Sequence, residues 1–493
     1  MKVKPNYYPS LLLLFFILFT ACTTADEQSA PSLAVEILEK AHAEFKEKSI
    51  THRRFKHADL QPLIEKHSDQ FKITSLGTSI EGRSISSLDW GKGETKVMLW
   101  SQMHGNESTA TMALFDIFNF LEGDSDEYQE LRTILRERLT LKFIPMINPD
   151  GAEEFKRRNA LDIDLNRDAI SQISPEAIIL KEARDNFEPD FGFNLHDQQT
   201  YYNAEGTAKQ ATISVLAPAY NEATDINEVR KRAMQTIVGM NKVLQQIVPG
   251  HVGKYNDAFE PRAFGDNIQK WGTSTILIES GGYPKDPDKQ FIRQLNFMII
   301  LEALHQIAIE SYTQYSVDEY FSIPDNDLQL VDLLIHEAQV RVGEKLYPMD
   351  LGIRRRQSTS GSTYYSSSSI DDLGDLQVYF GLEELDASNM LITEGKVYPE
   401  VFESLSDLDQ DRAMDLLREG FLAVKVENNS EGELHGLPIL VLSSSDTFSW
   451  GWKTGSVPNF FLSKGNQLKF AVVNGYLIDL ENPKEQEFKQ RIY

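Results

Sequence analysis

From Phe71 onward, short runs of consecutive apolar residues alternate with longer stretches in which apolar positions recur every three to four residues. The short runs predict strands at Lys96–Trp100, Leu139–Pro145, Asp190–Leu195, Thr212–Leu216 and Ser274–Ile278. The longer stretches predict helices at Thr109–Glu122, Glu127–Glu137, Glu176–Asn186, Asn227–Ile247 and Lys289–Tyr312, and Ala34–Lys48 carries the same helical spacing. Strands alternating with helices form a sheet flanked by helices, so the expected fold class is α/β with a mixed sheet. Past about residue 315 the pattern changes to acidic segments and β-like runs at Phe421–Glu427, Ile439–Leu442 and Leu468–Leu480. A smaller β-rich domain is expected over 315–493, with an accessory role, and its Ser-rich stretch Ser358–Ser369 is expected to be a mobile loop.

The N-terminus has a different pattern. Lys2 and Lys4 precede an apolar run from Leu11 to Phe19, which gives way to Thr20-Ala21-Cys22. Nine apolar residues fall short of the roughly 20 that span a bilayer, so the run is expected to be a cleaved leader. Leu18-Phe19-Thr20-Ala21-Cys22 is similar to a bacterial lipobox, with Phe19 departing from the usual aliphatic residue. The expected organisation is a lipoprotein signal peptide at 1–21, an acidic tether at 22–33, an enzymatic domain at 34–314 and the β-rich domain at 315–493. The chain is expected to be exported through the inner membrane and anchored to a membrane by lipid on Cys22. That residue is the only cysteine, which excludes an internal disulfide or a cysteine-ligated metal. With 49 Lys and Arg against 74 Asp and Glu, the net charge of −25 repels nucleic acid, so no nucleic-acid partner is expected.

Candidate chemistry begins with His104-Gly105-Asn106-Glu107 after the strand at 96–100. An imidazole and a carboxylate three residues apart can face one cation if the chain turns, and Gly105 permits the turn. About one such HxxE is expected by chance in a chain of this composition. Its place at the carboxyl end of a strand adds weight, because ligand sites of open α/β sheets collect there. His196 ends another strand-like run, completing a His2Glu set of the kind that holds catalytic zinc with a position open to water. Two arginine segments lie between, Arg157-Arg158-Asn159 and Asp164-Leu165-Asn166-Arg167-Asp168. Guanidinium groups suit carboxylate recognition and oxyanion stabilisation. Glu279 ends an otherwise apolar strand, where a charged group needs a partner and where burial would suit it to proton transfer.

The order HxxE, Asn148-Pro149-Asp150-Gly151, Arg158-Asn159, Asp164-Leu165-Asn166-Arg167, His196 and Glu279 resembles the zinc carboxypeptidases of family M14. The upstream Leu76-Gly77-Thr78-Ser79-Ile80-Glu81-Gly82-Arg83 also resembles a family motif, and the likeness covers about residues 70 to 312. The resemblance implies a three-layer sandwich and one Zn2+ per chain on His104, Glu107 and His196. It further implies Glu279 as general base for a zinc-activated water and Arg158 as the oxyanion donor. Asn166 and Arg167 would clamp the terminal carboxylate, so the implied partners are peptides with a free C-terminal carboxylate.

Three positions depart from the family pattern: Asn106, Asp197-Gln198 and Asp168. A substrate-facing tyrosine is expected at Tyr255, with Tyr201 and Tyr202 as alternatives. Arg262 and Asp266 either line the pocket or form a structural ion pair. Two other functions compete: an amidase or deacylase on N-acyl amino acids, similar to aspartoacylase, and a peptide-binding lipoprotein that has lost catalysis.

Overall fold

In a computed structural model of the protein, the structure describes residues 32–430, 432–448 and 450–493. The expected leader, Cys22 and most of the tether lie outside the described residues. Among the described residues, no helix is long and apolar enough to cross a membrane.

The central feature is an eight-stranded mixed sheet in the order Lys72–Thr78, Ser84–Gly91, Leu139–Ile144, Thr95–Ser101, Phe191–Asp197, Ser274–Ser280, Ile213–Leu216, Val252–Lys254. The four middle strands, from Leu139–Ile144 to Ser274–Ser280, run parallel, so their carboxyl ends lie along one edge. Parallel strands are apolar on both faces because helices cover both. In Thr95–Ser101, Val97 and Leu99 enter one core while Met98 and Trp100 enter the other. Helices Val35–Phe45, Thr109–Glu122, Glu228–Ile247 and Gln290–Ala308 pack on the first face. Helices Pro175–Phe187 and Phe264–Lys270 pack on the second, giving the expected helix–sheet–helix layering. The expected strands and helices of this region are all present, with ends shifted by a few residues; Lys289–Tyr312 ends its α-helix at Ala308. The strands Lys72–Thr78, at the edge of the sheet, and Ser84–Gly91, beside it, were not expected: the first is partly exposed, and in the second Ser and Asp interrupt the apolar positions.

A buried ion pair ties the first face together. Arg293 donates through Nε to Asp116 at 2.7 Å, and both side chains are fully buried. The same guanidinium donates to the carbonyls of Glu47 and Ile50 at 2.8 and 2.6 Å, which fixes the segment leading to Arg53 and Arg54.

Residues 331–492 hold separate cores around further sheets and the helix Gln410–Arg418. The first core continues past residue 315, since Tyr320 and Ile323 are buried in it. The Ser-rich stretch expected as a mobile loop instead lies in a long hairpin formed by strands Lys345–Ser360 and Thr363–Gly374. Alternation explains the difference: Ser366 and Ser368 point inward, where Ser366 Oγ lies 2.6 Å from Tyr476 Oη and Ser368 Oγ donates to Asn474 at 2.6 Å. Serine reads as a loop former until a partner hydroxyl or amide satisfies it.

The two regions are joined by specific polar contacts. Strand Asn326–Asp327 pairs with Asn203–Ala204, and Asn326 Nδ2 donates to Gln198 Oε1 at 3.0 Å. Tyr201 donates to Asp332 at 2.7 Å beneath the guanidinium of Arg354, and Arg54 donates to Gln357 at 2.8 Å.

Candidate metal centre

The site is built on the carboxyl ends of the parallel strands. After Ser101 the chain turns at Gln102, which takes a left-handed conformation with φ 52° and donates its amide to the Gly105 carbonyl at 2.9 Å. A Cβ on Gly105 would lie 1.9 Å from the Gly151 carbonyl carbon, so only glycine fits there. That contact explains why two distant motifs accompany each other. Asn148 caps the short helix Pro149–Glu153 by accepting from Gly151 N at 2.9 Å, and its Nδ2 donates to the Met103 and Arg157 carbonyls. Asp150 accepts from Ser79 Oγ at 2.7 Å, from Glu81 N at 3.0 Å and from Arg83 at 2.7 Å. The upstream motif therefore braces the turn rather than lining the site.

On this support His104, Glu107 and His196 converge, all buried. Glu107 Oε1 lies 2.9 Å from His104 Nδ1, its Oε2 lies 2.7 Å from His196 Nδ1, and the two Nδ1 atoms are 3.1 Å apart. Burial alone would raise the Glu107 carboxyl, but the two imidazoles hold it well below the usual carboxylate range. Burial lowers His196, favouring a neutral ring. It acts likewise on His104, where Glu107 and Asp164 more than offset it and the ring is raised. One ligand atom from each residue lies within 4.8 Å of the others, which fits a single divalent cation. His104 Nε2 is held by Asp164 Oδ1 at 3.0 Å, a carboxylate–histidine arrangement that orients metal ligands. Asp164 also caps the 3-10 turn Leu165–Arg167 by accepting from Asn166 N at 3.0 Å.

These residues open onto a cavity of about 600 Å³ whose wall includes Arg157, Asn166, Arg167, Tyr255 and Glu279. Glu279 sits opposite His196 in the parallel register, and among the described residues its carboxylate takes part in no hydrogen bond or ion pair. Its carboxyl is raised well above the usual range, first by burial and then by the charges of Glu107 and Asp197. Asn166 Oδ1 accepts from Phe264 N at 2.9 Å, and Arg167 donates to the Asn166 carbonyl at 2.7 Å and lies 3.4 Å from Glu260. Tyr255 Oη is 3.4 Å from Tyr202 Oη, and burial pushes its phenol up. Tyr202 also lines the cavity, whereas Tyr201 turns away to Asp332. Asp266 lines the wall, with burial pushing its carboxyl up to about 6, while exposed Arg262 pairs with Glu260 at 3.1 Å. Asp266 and Arg262 thus do not form a pair with each other.

The sequence model of the zinc carboxypeptidase family matches residues 57–235. Over that segment, about a third of its length, the chain is similar to the zinc carboxypeptidase family. It is 30% identical over 128 residues to an uncharacterised protein of Zymomonas mobilis, covering 25% of this chain and 33% of that one. It is 29% identical over 125 residues to carboxypeptidase 2 of Trichophyton rubrum, covering 25% and 21%. The chain thus spans a third or less of the curated relatives it matches. Among solved structures it is similar to a metallo-carboxypeptidase from Burkholderia cenocepacia, at 19% identity and TM-score 0.41 over 52% of this chain and 69% of that one.

One expected site residue is not brought to the cavity. Arg158 is half-exposed and donates to the Asp162 carbonyl at 2.8 Å, beside the Asp162 carboxylate at 3.9 Å. Its neighbour Arg157 enters instead, donating to Glu107 at 3.0 Å and to Asp164 at 3.2 Å. Adjacent side chains diverge, and Asn159 fixes the local turn by accepting from Leu161 N and Ile163 N, so the guanidinium one position earlier faces inward. Sequence reasoning also passed over Asp164, whose position two residues before Asn166 was a usable signal. Asp197 on the same wall was marked only as a departure from the family pattern, and Lys289 and Arg53 carried no signal.

Proposed function

We propose that the protein is a zinc-dependent metallocarboxypeptidase that releases C-terminal residues from peptides. The observation that carries the reading is one cavity that joins the His104–Glu107–His196 cluster, an unpartnered Glu279 and the guanidinium groups of Arg157 and Arg167. His104, Glu107 and His196 would hold the ion. When bound, zinc supplies a Lewis acid that polarises a carbonyl and lowers the pKa of water.

This chain's own residues do the rest. Glu279, held with a raised carboxyl, takes up the proton of the attacking water and returns it to the departing amine nitrogen. Arg157 donates to the developing oxyanion, a role assigned on geometry to it in place of Arg158. Asn166 and Arg167 take the terminal carboxylate, the guanidinium being within reach of Glu260 and partly open to solvent. Tyr255 lends a phenol that stays protonated through the neutral range. The lipid anchor at Cys22 and export to a membrane face belong to the same proposal; a leader and a lone cysteine support them.

The test is zinc analysis of the purified protein together with hydrolysis of N-blocked dipeptides, their C-terminal amides and N-acetyl amino acids. One zinc per chain and cleavage of only the free-carboxylate dipeptides is the expected result. Cleavage confined to N-acetyl amino acids would replace the reading with a deacylase, and absence of zinc would remove it.

A further inference from the structure

A chain with a net charge of −25 places four basic side chains, Arg53, Arg157, Arg167 and Lys289, on the wall of this one cavity. Three of them are engaged. Arg157 is bonded to Glu107 and Asp164, and Arg167 to the Asn166 carbonyl. Lys289 is bonded to Asp197 at 2.9 Å and to the Ser280 carbonyl at 2.8 Å. The guanidinium of Arg53 makes no hydrogen bond to any described residue, and its Nε is buried without a partner. Its nearest carboxylate, Asp197, is 3.7 Å away and is already taken by Lys289 and by Thr109 Oγ1 at 2.6 Å. Two cations therefore share one carboxylate, and the donors of Arg53 stay unused. An arginine held in this way, stacked on Phe155 and only 16% exposed, is preorganised but unsatisfied. A fork of N–H donors in that state favours a carboxylate.

Position says which carboxylate. Arg167 follows Leu165, buried in the core on the second face of the sheet, and Asn166 is bonded to the helix at Phe264 of that same core. Arg53 comes from the other side: its segment buries Ile50 and Phe55 in the first-face core, and its carbonyl accepts from Ser108 Oγ at 2.6 Å beside the ligand turn. The cluster at the strand ends lies between these two poles. With the terminal carboxylate on Arg167, the chain upstream of the scissile bond extends towards Arg53.

We propose that Arg53, backed by Lys289 and Asp197, forms an anion subsite on the acyl side of the scissile bond that selects peptides bearing a carboxylate side chain in one of the two residues before the one released. The proposal rests on the carboxypeptidase reading. Its test uses the zinc-loaded full chain and N-blocked tripeptides that release the same C-terminal residue, with Glu or its neutral isostere Gln at either upstream position. The wild-type protein is expected to prefer Glu over Gln in kcat/KM by about ten-fold or more at one of these positions, the scale of one charge-assisted hydrogen bond. In Arg53→Gln the ratio collapses towards one, and in Arg53→Lys part of it returns; a purely structural arginine would change neither ratio. A wild-type ratio near one, or a ratio that survives Arg53→Gln, overturns the subsite while leaving the carboxypeptidase reading intact. If the protein cleaves none of the peptides, the underlying reading falls and the subsite with it.

Discussion

Two adjacent arginines give the most discriminating experiment. Arg157 reaches into the cavity and bonds both Glu107 and Asp164, whereas Arg158 lies at the surface with its side chain half-exposed beside a 91% exposed Asp162. If Arg157 is the oxyanion donor proposed above, replacing it by Ala costs about 10²–10³ in kcat, on the order of 3–4 kcal/mol of transition-state stabilisation. It also frees Glu107 and Asp164, and loss of such support lowers metal affinity by roughly 10- to 100-fold. Arg158→Ala breaks an exposed hydrogen bond to the Asp162 carbonyl and an exposed pair at 3.9 Å, together worth about 1 kcal/mol of local stability and remote from the cavity, so its rate should stay within about two-fold of wild type. The assay is steady-state hydrolysis of an N-blocked dipeptide at low and at saturating zinc. Saturating zinc should recover the binding defect of Arg157→Ala but not its kcat. A hundred-fold loss in Arg158→Ala with Arg157→Ala nearly intact would falsify the geometric assignment and restore the expectation drawn from the sequence motif.

Glu279→Gln should lower kcat by about 10²–10⁴ while zinc content stays at the wild-type level, since the carboxyl touches no ligand; retained turnover would remove Glu279 as the base. Asp116→Ala leaves Arg293 charged and fully buried, so chemical denaturation should show a loss of about 3–5 kcal/mol, and a change below about 1 kcal/mol would mean that solvent reaches the guanidinium. For Asp266 the sign follows from its raised carboxyl: the folded protein holds the proton up to about pH 6, above the ordinary 3.8. The stabilisation is therefore full below about pH 4 and is lost as pH rises through 6, amounting to roughly 3 kcal/mol. Urea titrations between pH 4 and pH 7 should show that slope flattened in Asp266→Asn, and an unchanged slope would place its origin elsewhere.

What the sequence made legible follows from where apolar residues cluster. Strands buried on both faces, such as Thr95–Ser101 and Ser274–Ser280, announce themselves as apolar runs, and the chemistry sits just past their ends at His104 and Glu279. The Ser-rich part of the hairpin of residues 345–374 was hidden because its inward serines take partners, Tyr476 and Asn474, that lie more than a hundred residues away. Arg157 and Arg158 could not be told apart because one peptide unit reverses side-chain direction, and only the turn held by Asn159 decides which guanidinium turns inward. Arg53 and Lys289 carry no local pattern at all. They matter because a buried ion pair at Arg293 and a helix start at Gln290 whose first amides are held by Asp286 deliver them to a wall built from other segments.

The contacts of Gln198 with Asn326, of Tyr201 with Asp332 and of Arg54 with Gln357 bear on how this chain can change over generations. Each joins a segment flanking the cavity to the β-rich region, so that region is not cargo that recombination could exchange freely. A transplanted α/β half would arrive with Gln198 and Tyr201 facing the wrong neighbours. A change at 198, 201 or 54 strips 326, 332 or 357 of its partner, so the freedom to alter the cavity wall is shared between both halves of the chain.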